Sequence, residues 1–174
     1  MIQKWEKFNY DEIGGIVGVT NKYCIISNCY NSGNISGKNN SAGIVGNLMR
    51  GTVENCYNTG TVNGKVGIAG IAGQTGLKDN IIKNCYVIGN IVSTSNQYSA
   101  ILGRINPENG GSECSFYNNY NLENIVNGAN CEETVNGISI KTSQEMKNIS
   151  ELLGSKYKQD TNNINNGYTI LSWQ

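Results

Sequence analysis

The sequence predicts an all-β fold: a three-sided parallel β-solenoid of about four coils, followed by a small C-terminal cap that contains one helix. The tripeptide Asn-Cys-Tyr recurs at 28–30, 55–57 and 84–86, a period of 27 to 29 residues. A block of glycine and aliphatic residues precedes each copy, and aliphatic residues recur about every nine residues between copies. A repeat of this length indicates one structural unit that stacks on copies of itself.

The glycine and aliphatic blocks mark where each repeat begins. They read Gly14–Gly18, Ala42–Gly46, Ala69–Gly73 and, in a weaker copy, Ser99–Gly103. These blocks divide the chain into a lead-in at 1–13 and repeats at 14–41, 42–68, 69–98 and 99–121. In the fourth copy Phe116 stands where the other copies have cysteine, and an atypical last repeat is expected where an array ends.

The nine-residue spacing predicts short strands, because turn residues separate the aliphatic positions and no helical stripe is present. Three sides of nine residues make one coil, so the aliphatic residues should stack in three inner rows. Those rows are Ile16, Ile44, Ile71 and Ile101; Ile26, Val53 and Ile82; and Ile35, Val62 and Ile91. Right-handed winding is expected by analogy with other β-helices, since the spacing does not determine the hand.

Glycine and asparagine recur at the predicted corners. Gly33, Gly60 and Gly89 each follow the repeated cysteine by four residues, and we expect them where a side chain would clash or where φ is positive. The asparagines of the tripeptide, Asn28, Asn55 and Asn84, are expected to form a ladder in which each side-chain amide bonds to the next.

The composition changes after about residue 121, and we interpret 122–174 as a cap that covers the open end of the solenoid. Thr142 and Glu145 have the spacing of a capping box. Met146, Ile149, Leu152 and Leu153 then form an apolar stripe before Gly154, which predicts a helix over about 143–153. Alternation at the end of the chain predicts a final strand over about 168–173.

Charge and composition exclude several classes of partner. The 13 basic and 13 acidic residues give a formal net charge of zero, whereas nucleic-acid and anionic-membrane partners call for a basic excess. No apolar run approaches the roughly 20 residues of a membrane span. Residues 1–11 do not resemble a signal peptide, so the chain is either intracellular or a segment of a longer secreted protein.

The recurring cysteines Cys29, Cys56 and Cys85 are open to two interpretations. They could form a metal-binding or redox ladder, or they could be small buried thiols that fill the coil. The second is favoured, because zinc sites pair cysteines at short spacing with histidine or further cysteines and the chain has no histidine. Three further cysteines lie off the repeat, namely Cys24, Cys114 and Cys131, and a bridge from Cys114 to Cys131 could tie the last coil to the cap.

Other motifs give weak signals. Gly60–Lys65 departs from a phosphate loop, because Val66 replaces the magnesium-binding hydroxyl. Asp160–Asn165 resembles a calcium loop, but Ile164 falls where an oxygen ligand is needed, so an Asn-rich turn is favoured.

The repeated tyrosines and the carboxylates are the remaining candidate binding residues. Tyr30, Tyr57 and Tyr86 form either a packed ladder or an outer sugar-binding strip. The scattered carboxylates Glu54, Asp79, Glu108 and Glu113 share no repeat position. We expect no catalytic, cofactor-binding or metal-binding residues.

The order of these blocks resembles the GLUG motif repeat: Gly-Gly-Ile-Val-Gly, then Ile-x-Asn-Cys-Tyr-Asn-x-Gly, then a short strand and glycine. The resemblance covers about 14 to 118, and the tail is similar to the segment that often follows such repeats in surface proteins of Gram-positive bacteria. It implies a cell-surface or secreted location within a longer chain. GLUG repeats also accompany immunoglobulin-cleaving metallopeptidases, whose zinc site would need histidine.

These observations lead to one favoured function and two alternatives. The favoured hypothesis is a non-catalytic module at the cell surface or outside the cell, acting as a stalk or as an adhesin-like binding surface for a host or polymer ligand such as a glycan. The first alternative is a β-helical enzyme that acts on polysaccharide. The second is an accessory segment of a larger secreted peptidase.

Overall fold

A computed structural model describes residues 11–106, 113–127 and 135–174, and it confirms the predicted all-β parallel solenoid. The first coil contributes four strands: β1 (Val17–Val19), β2 (Ile25–Ser27), β3 (Tyr30–Asn31) and β4 (Ile35–Ser36). The second contributes five: β5 (Asn39–Ala42), β6 (Val45–Met49), β7 (Thr52–Glu54), β8 (Tyr57–Asn58) and β9 (Val62–Gly64).

The later coils repeat the same five strands. The third coil holds β10 (Val66–Ala69), β11 (Ala72–Gly76), β12 (Asn80–Lys83), β13 (Tyr86–Val87) and β14 (Ile91–Ser93). The fourth holds β15 (Tyr98–Ser99), β16 (Leu102–Ile105), β17 (Cys114–Tyr117), β18 (Asn119–Leu122) and β19 (Val126–Asn127). Beyond the coils lie β20 (Ile138–Lys141), helices α1 (Ser143–Met146) and α2 (Ser150–Leu153), and strands β21 (Tyr157–Lys158) and β22 (Ile170–Leu171).

Equivalent strands of successive coils pair in parallel and form five sheets, which we name in the order in which each coil passes through them. Sheet A contains β5, β10 and β15, and sheet B contains β1, β6, β11 and β16. Sheet C contains β2, β7, β12 and β17; sheet D contains β3, β8, β13, β18 and β20; and sheet E contains β4, β9, β14 and β19. Each strand therefore depends on the neighbouring coil for its backbone hydrogen bonds.

The three predicted rows of aliphatic side chains are confirmed. In sheet C, Ile26 pairs with Val53 and Val53 with Ile82, and the sheet E row follows the same register. In the remaining row, Ile44, Ile71 and Ile101 are fully buried at the entry to sheet B. The row is not buried at the first coil, where Ile16 is 42% exposed. The aliphatic spacing therefore sets both the core and the register.

Asparagine occupies the corner between sheets C and D in every coil. Asn28, Asn55, Asn84 and Asn118 all have positive φ, between 51° and 56°, a conformation that asparagine tolerates better than most residues. The predicted amide ladder is confirmed beyond the first coil: Asn84 Nδ2 donates to Asn55 Oδ1 at 3.3 Å, and Asn118 Nδ2 donates to Asn84 Oδ1 at 3.0 Å. It is wrong for Asn28, whose amide donates to the adjacent Ser27 Oγ instead.

The last glycine of each glycine and aliphatic block allows sheet B to approach the backbone of sheet A. A Cβ atom at Gly73 would lie 2.6 Å from the carbonyl carbon of Asn40. At Gly46 it would lie 2.5 Å from the carbonyl carbon of Glu12. Real Cβ atoms do not come this close to backbone, so the block requires glycine here for packing.

Two short helices stand where one over 143–153 was predicted. The capping box is present, since Thr142 Oγ1 accepts from the Glu145 N–H and the Glu145 carboxylate accepts from the Thr142 N–H. Helix α1 ends early because the Asn148 side chain donates to the carbonyl oxygen of Gln144 at 3.0 Å, in competition with the helical backbone. Helix α2 then ends at Gly154, which has φ of 91°. Neither helix in the described part of the chain is long and apolar enough to cross a membrane.

The C-terminal segment covers the outer face of sheet D as well as the end of that sheet, so the predicted placement at the open end describes only part of it. Strand β20 extends sheet D beyond β18, and the chain then turns back along the outer face of that sheet. Tyr157 O–H donates to the carbonyl oxygen of Asn84, and Tyr57 O–H donates to Gln174 Oε1, each at 2.8 Å. The reason is the outward column of tyrosines, whose rings need burial and whose hydroxyls need partners.

Candidate functional site

Two of the three repeated cysteines are buried thiols inside the solenoid, as the favoured interpretation predicted, whereas Cys29 of the first coil is only half-buried. Cys56 and Cys85 are fully buried in the aliphatic core, and their thiols donate to the carbonyl oxygens of Glu54 and Lys83 at 3.2 Å. A hydrogen bond with the Cys85 thiol, together with burial, raises the pKa of Cys56 far above its ordinary value. Cys56 therefore stays protonated and is a poor nucleophile.

Thiol alkylation should separate the exposed cysteine from the buried ones. When the native protein is treated with iodoacetamide at mildly alkaline pH, we expect Cys24, which is exposed, to be modified, while Cys56 and Cys85 stay unmodified because reagent and hydroxide cannot reach them. Peptide mass spectrometry measures the modification at each site, and unfolded protein serves as the control in which all of them react. Equal labelling of Cys24 and Cys56 would contradict the buried ladder.

The cysteines outside the ladder form no site among the described residues. Cys114 is a half-buried free thiol, and burial raises its pKa to about 12. Cys131 lies outside the described residues, so the bridge between the two stays a prediction. No three histidine, cysteine, aspartate or glutamate side chains within the described ranges come close enough together to hold a metal ion.

The repeated tyrosines form a packed ladder. The rings of Tyr57 and Tyr86 stack at 4.7 Å with an interplanar angle of 8°, and Tyr30 stacks on Tyr57 at 5.1 Å. The C-terminal segment buries Tyr57 and Tyr86, and burial raises the pKa of Tyr57 to about 12. The rings of Tyr57 and Tyr86 have no free face, so a continuous sugar-binding strip is wrong; only Tyr30 of the first coil, beside Trp173, keeps 37% exposure.

The weak loop motifs also have structural roles. Gly60–Lys65 contains β9, a strand of sheet E. In the loop that resembles a calcium site, Asp160 accepts backbone hydrogen bonds from Ile164, Asn165 and Gly167. Burial opposes ionisation of Asp160, but these hydrogen bonds outweigh it and lower its pKa. The carboxylate is the centre of a turn, as the Asn-rich interpretation predicted.

The scattered carboxylates pair with basic residues on neighbouring strands. Glu54 Oε2 lies 2.8 Å from Lys83 Nζ across sheet C, and Glu113 Oε1 lies 3.8 Å from Lys78 Nζ. Asp79 lies beside Arg50, while Glu108 falls outside the described residues.

A surface cavity lies at the turn between sheets B and C, and we call it the B–C corner site. It encloses about 260 Å³. Its walls are Tyr23, Cys24, Ile25, Arg50, Gly51, Thr52 and Asp79, from the first three coils. Tyr23 and Ile25 are 78% and 68% exposed, which is unusual for large apolar side chains. The cavity is smaller than the roughly 300 Å³ of typical small-molecule pockets, so it suits one ring or one group of a larger ligand.

The backbone at the B–C corner is strained. Tyr23, Arg50 and Leu77 have φ between 49° and 67°, a region that bulky residues rarely occupy and that costs of order 1–3 kcal/mol per residue. Asp79, with φ of 62°, is of a residue type that tolerates this region. The corner between sheets C and D places asparagine at this conformation in each coil, which is less costly. The B–C corner therefore presents large side chains at positions where glycine or asparagine would suit the backbone better.

Arg50 is the central charged group of the site. Its guanidinium carbon lies 5.9 Å from the centroid of the Tyr23 ring, and its Nε lies 3.7 Å from Asp79 Oδ2. Nε is buried without a hydrogen-bond partner, and the guanidinium donates no hydrogen bond to any residue in the described ranges. Sequence reasoning missed this site, because Tyr23, Arg50 and Asp79 occupy the same position of three successive coils but differ in residue type. The available signal was the concentration of charge at this one turn of the repeat.

Comparison with known proteins identifies the repeat. Residues 10–36 and 37–63 match the family model of the GLUG motif, and these stretches contain the first two coils. No curated protein matches the chain.

A solved structure shares the architecture. The crystal structure of a candidate immunoglobulin A1 protease from Bacteroides ovatus superposes with a TM-score of 0.71 at 23% sequence identity. The superposition covers 95% of this chain and 65% of that one, so the chain spans a little under two thirds of the length of its structural neighbour. At this identity the likeness concerns the fold. With the two matches to the motif and the stacked coils, it leads to one conclusion: the chain carries two GLUG motifs, at residues 10–36 and 37–63, within a parallel β-solenoid.

Proposed function

We propose that the chain is a non-catalytic binding module, displayed outside the cell or on its surface, in which the solenoid is a scaffold and the B–C corner site contacts a glycan or other polymer. The observation that carries this proposal is the strained corner. Natural sequences retain costly backbone conformations mainly where function maintains them. At this corner they hold Tyr23, Arg50 and Asp79 around a cavity.

The residues that recur in the repeat support a scaffold role for the rest of the coil. The cysteines fill the core, the asparagines bond to one another at a corner, and the tyrosines pack beneath the C-terminal segment. The carboxylate of Glu54 is engaged by Lys83. Ligand contacts would therefore fall to exposed residues that differ from coil to coil.

The chemistry of the corner favours a sugar. Tyr23 presents an exposed ring beside the polar groups of Arg50, Asp79 and Thr52. Aromatic rings combine an apolar face with a defined orientation, which suits the C–H face of a sugar ring, while the polar groups can bond to its hydroxyls. The size of the cavity fits one sugar unit of a longer chain.

A glycan array probed with the purified protein tests the proposal. We expect binding that falls at least tenfold in Tyr23→Ala, because the ring supplies the stacking surface, and that is retained in Tyr23→Phe. Tyr117→Ala is the matched control, since Tyr117 is also an exposed tyrosine (56%) but lies on the last strand of sheet C, outside the cavity. Equal losses in Tyr23→Ala and Tyr117→Ala would contradict a site at the corner. If the wild-type protein binds no glycan, the glycan-binding function is contradicted and only a role as a stalk remains.

A second candidate function follows from the structural neighbour. A protein described as a candidate immunoglobulin A1 protease contains the same architecture over most of this chain, which supports a role as an accessory segment of a secreted peptidase. In that role the segment would bind immunoglobulin A1 without cleaving it, since the chain has no histidine to serve a zinc site or a cysteine nucleophile.

Surface plasmon resonance with immobilised immunoglobulin A1 distinguishes the two functions. The accessory role is favoured by saturable binding to immunoglobulin A1 that is unchanged in Tyr23→Ala. The immunoglobulin heavy chains should also remain intact after prolonged incubation with the protein. Binding that is lost when the immunoglobulin is deglycosylated favours the glycan-binding role, because the sugar is then the ligand. Cleavage of the heavy chain by the purified protein would contradict both functions.

A further inference from the structure

The guanidinium of Arg50 carries hydrogen-bond donors that the described residues do not use. Its nearest acidic neighbour, Asp79, is 3.7 Å from Nε, beyond hydrogen-bond distance. The side chain is partly buried, at 30% exposure, so water only partly replaces the missing partners. An arginine in this state has a strong preference for a group that accepts several hydrogen bonds at once.

The side chain of Arg50 is held at the mouth of the cavity. Tyr23 covers it from one side at cation–π distance, and the left-handed backbone at both residues fixes the direction in which they leave the corner. In addition, the Tyr23 N–H donates to the Arg50 carbonyl oxygen between coils. The guanidinium and the ring therefore approach a ligand as one preorganised pair, which lowers the entropic cost of binding.

The wall of the cavity carries one cation, Arg50, and one anion, Asp79. The neighbouring charges Lys78 and Glu113 lie 3.8 Å apart and largely neutralise one another. Arg50 is therefore the group on this wall that would attract an anionic ligand.

From these contacts, and resting on the glycan-binding function proposed above, we propose that the B–C corner site binds a carboxylate-bearing sugar. The guanidinium of Arg50 would take the carboxylate in a bidentate hydrogen-bonded pair, the geometry that arginine forms best. The Tyr23 ring would pack against the face of the sugar. Uronic acids and sialic acids share this chemistry, a six-membered ring with one carboxylate, and both fit a cavity of about 260 Å³.

Isothermal titration with two matched pairs of ligands tests the inference and separates the two sources. The first pair is trigalacturonic acid and its methyl ester; the second is sialyllactose and its methyl ester. We expect the acidic member of one pair to bind at least tenfold more tightly than its neutral partner, and the preference to weaken as salt is raised. The pair that shows the difference identifies the source.

Substitutions at the corner locate the effect. Arg50→Gln should abolish the preference for the acidic ligand, while Arg50→Lys should keep only part of it, because lysine retains the charge but not the bidentate geometry. Lys78→Gln, which removes a neighbouring charge that is already paired, should change the affinity less than twofold. Equal melting temperatures of the variants and the wild type show that the fold is intact. If Arg50→Gln melts at a lower temperature, the affinities of Arg50→Lys and the wild type for the acidic ligand are compared instead.

The possible results separate this inference from the function on which it rests. Equal affinity for acidic and neutral members, with binding that depends on Tyr23, overturns the carboxylate assignment and leaves the glycan-binding function standing. If Arg50→Gln still binds the acidic ligand more tightly than the neutral one, the carboxylate assignment is also overturned, because a group other than Arg50 then binds the carboxylate. If neither pair binds and the glycan array is also negative, both proposals fail together.

Discussion

Replacing Tyr86 with alanine is expected to lower the free energy of unfolding by about 3–5 kcal/mol, the usual cost of removing a large buried aromatic side chain. Tyr86 is fully buried between the solenoid and the C-terminal segment. Its ring stacks on Tyr57, and its hydroxyl donates to the carbonyl oxygen of Thr169 and accepts from Asn165 Nδ2. The substitution therefore removes packing and leaves the Thr169 carbonyl with only a weaker donor, Asn165 Nδ2 at 3.4 Å.

Urea unfolding followed by circular dichroism measures this loss. Tyr86→Phe serves as the internal comparison: it keeps the ring and removes only the hydroxyl, so about 0.5–1.5 kcal/mol should be lost, because the Thr169 carbonyl keeps Asn165 Nδ2 as a donor. Tyr117→Ala, at an exposed position, should change stability by about 0.5 kcal/mol or less. A Tyr86→Ala protein as stable as Tyr117→Ala would show that the C-terminal segment does not cover the tyrosine ladder.

Alanine at Gly60 is expected to destabilise the protein by about 3 kcal/mol or more, at the upper end of the cost of overpacking. A Cβ atom there would lie 2.0 Å from the carbonyl oxygen of Gly33 in the preceding coil, and that oxygen belongs to backbone that cannot rotate away. The corner requires glycine because of this contact, since φ at Gly60 is not positive.

Gly33 provides the matched control at the same position of the first coil. A Cβ atom at Gly33 meets its nearest neighbour, Asn31 Oδ1, at 3.5 Å, an ordinary contact. Gly33→Ala should therefore change the free energy of unfolding by less than about 1 kcal/mol, and the change can even be stabilising because the unfolded chain loses freedom. Equal effects of the two substitutions in thermal unfolding would mean that coils do not stack at this corner.

The solenoid could be predicted from the sequence because its period fixes its register. Once Ile26, Val53 and Ile82 occupy equivalent positions, each strand has one possible partner in the next coil, and the structure pairs them in this way. Inner positions of a strand tolerate only apolar side chains, so the pattern repeats clearly. The same argument accounts for the buried cysteines.

The placement of the C-terminal segment could not be predicted from its own apolar stripe. That stripe shows that α1 and α2 bury a face, but it does not say against which surface. The missing clue lay in the repeat itself. Side chains alternate along a strand, so Cys56 in the core directs Tyr57 outward, and a column of outward tyrosines needs a cover. The division of the helix was equally hidden, because it depends on one side-chain bond from Asn148.

The candidate site was beyond sequence reasoning for a different reason. Its residues come from one position of three successive coils but differ in residue type, so no recurring residue marks the position. Their common feature is a left-handed backbone at Tyr23, Arg50 and Asp79, which residue type does not reveal. Asparagine at the C–D corner follows the local preference and could be predicted to tolerate this conformation, whereas tyrosine and arginine oppose it.

Nuclear Overhauser contacts between tyrosine rings test the stacked solenoid most directly. With ¹³C-labelled tyrosine, assigned through single Tyr→Phe variants, the account predicts contacts between Tyr57 and Tyr86 and between Tyr30 and Tyr57, whose ring centroids lie 4.7 and 5.1 Å apart. It predicts none between Tyr30 and Tyr86, which are two coils apart. If Tyr57 and Tyr86 showed no contact, or if Tyr30 contacted Tyr86 directly, the coils would not stack in this register and the stacked solenoid would be contradicted.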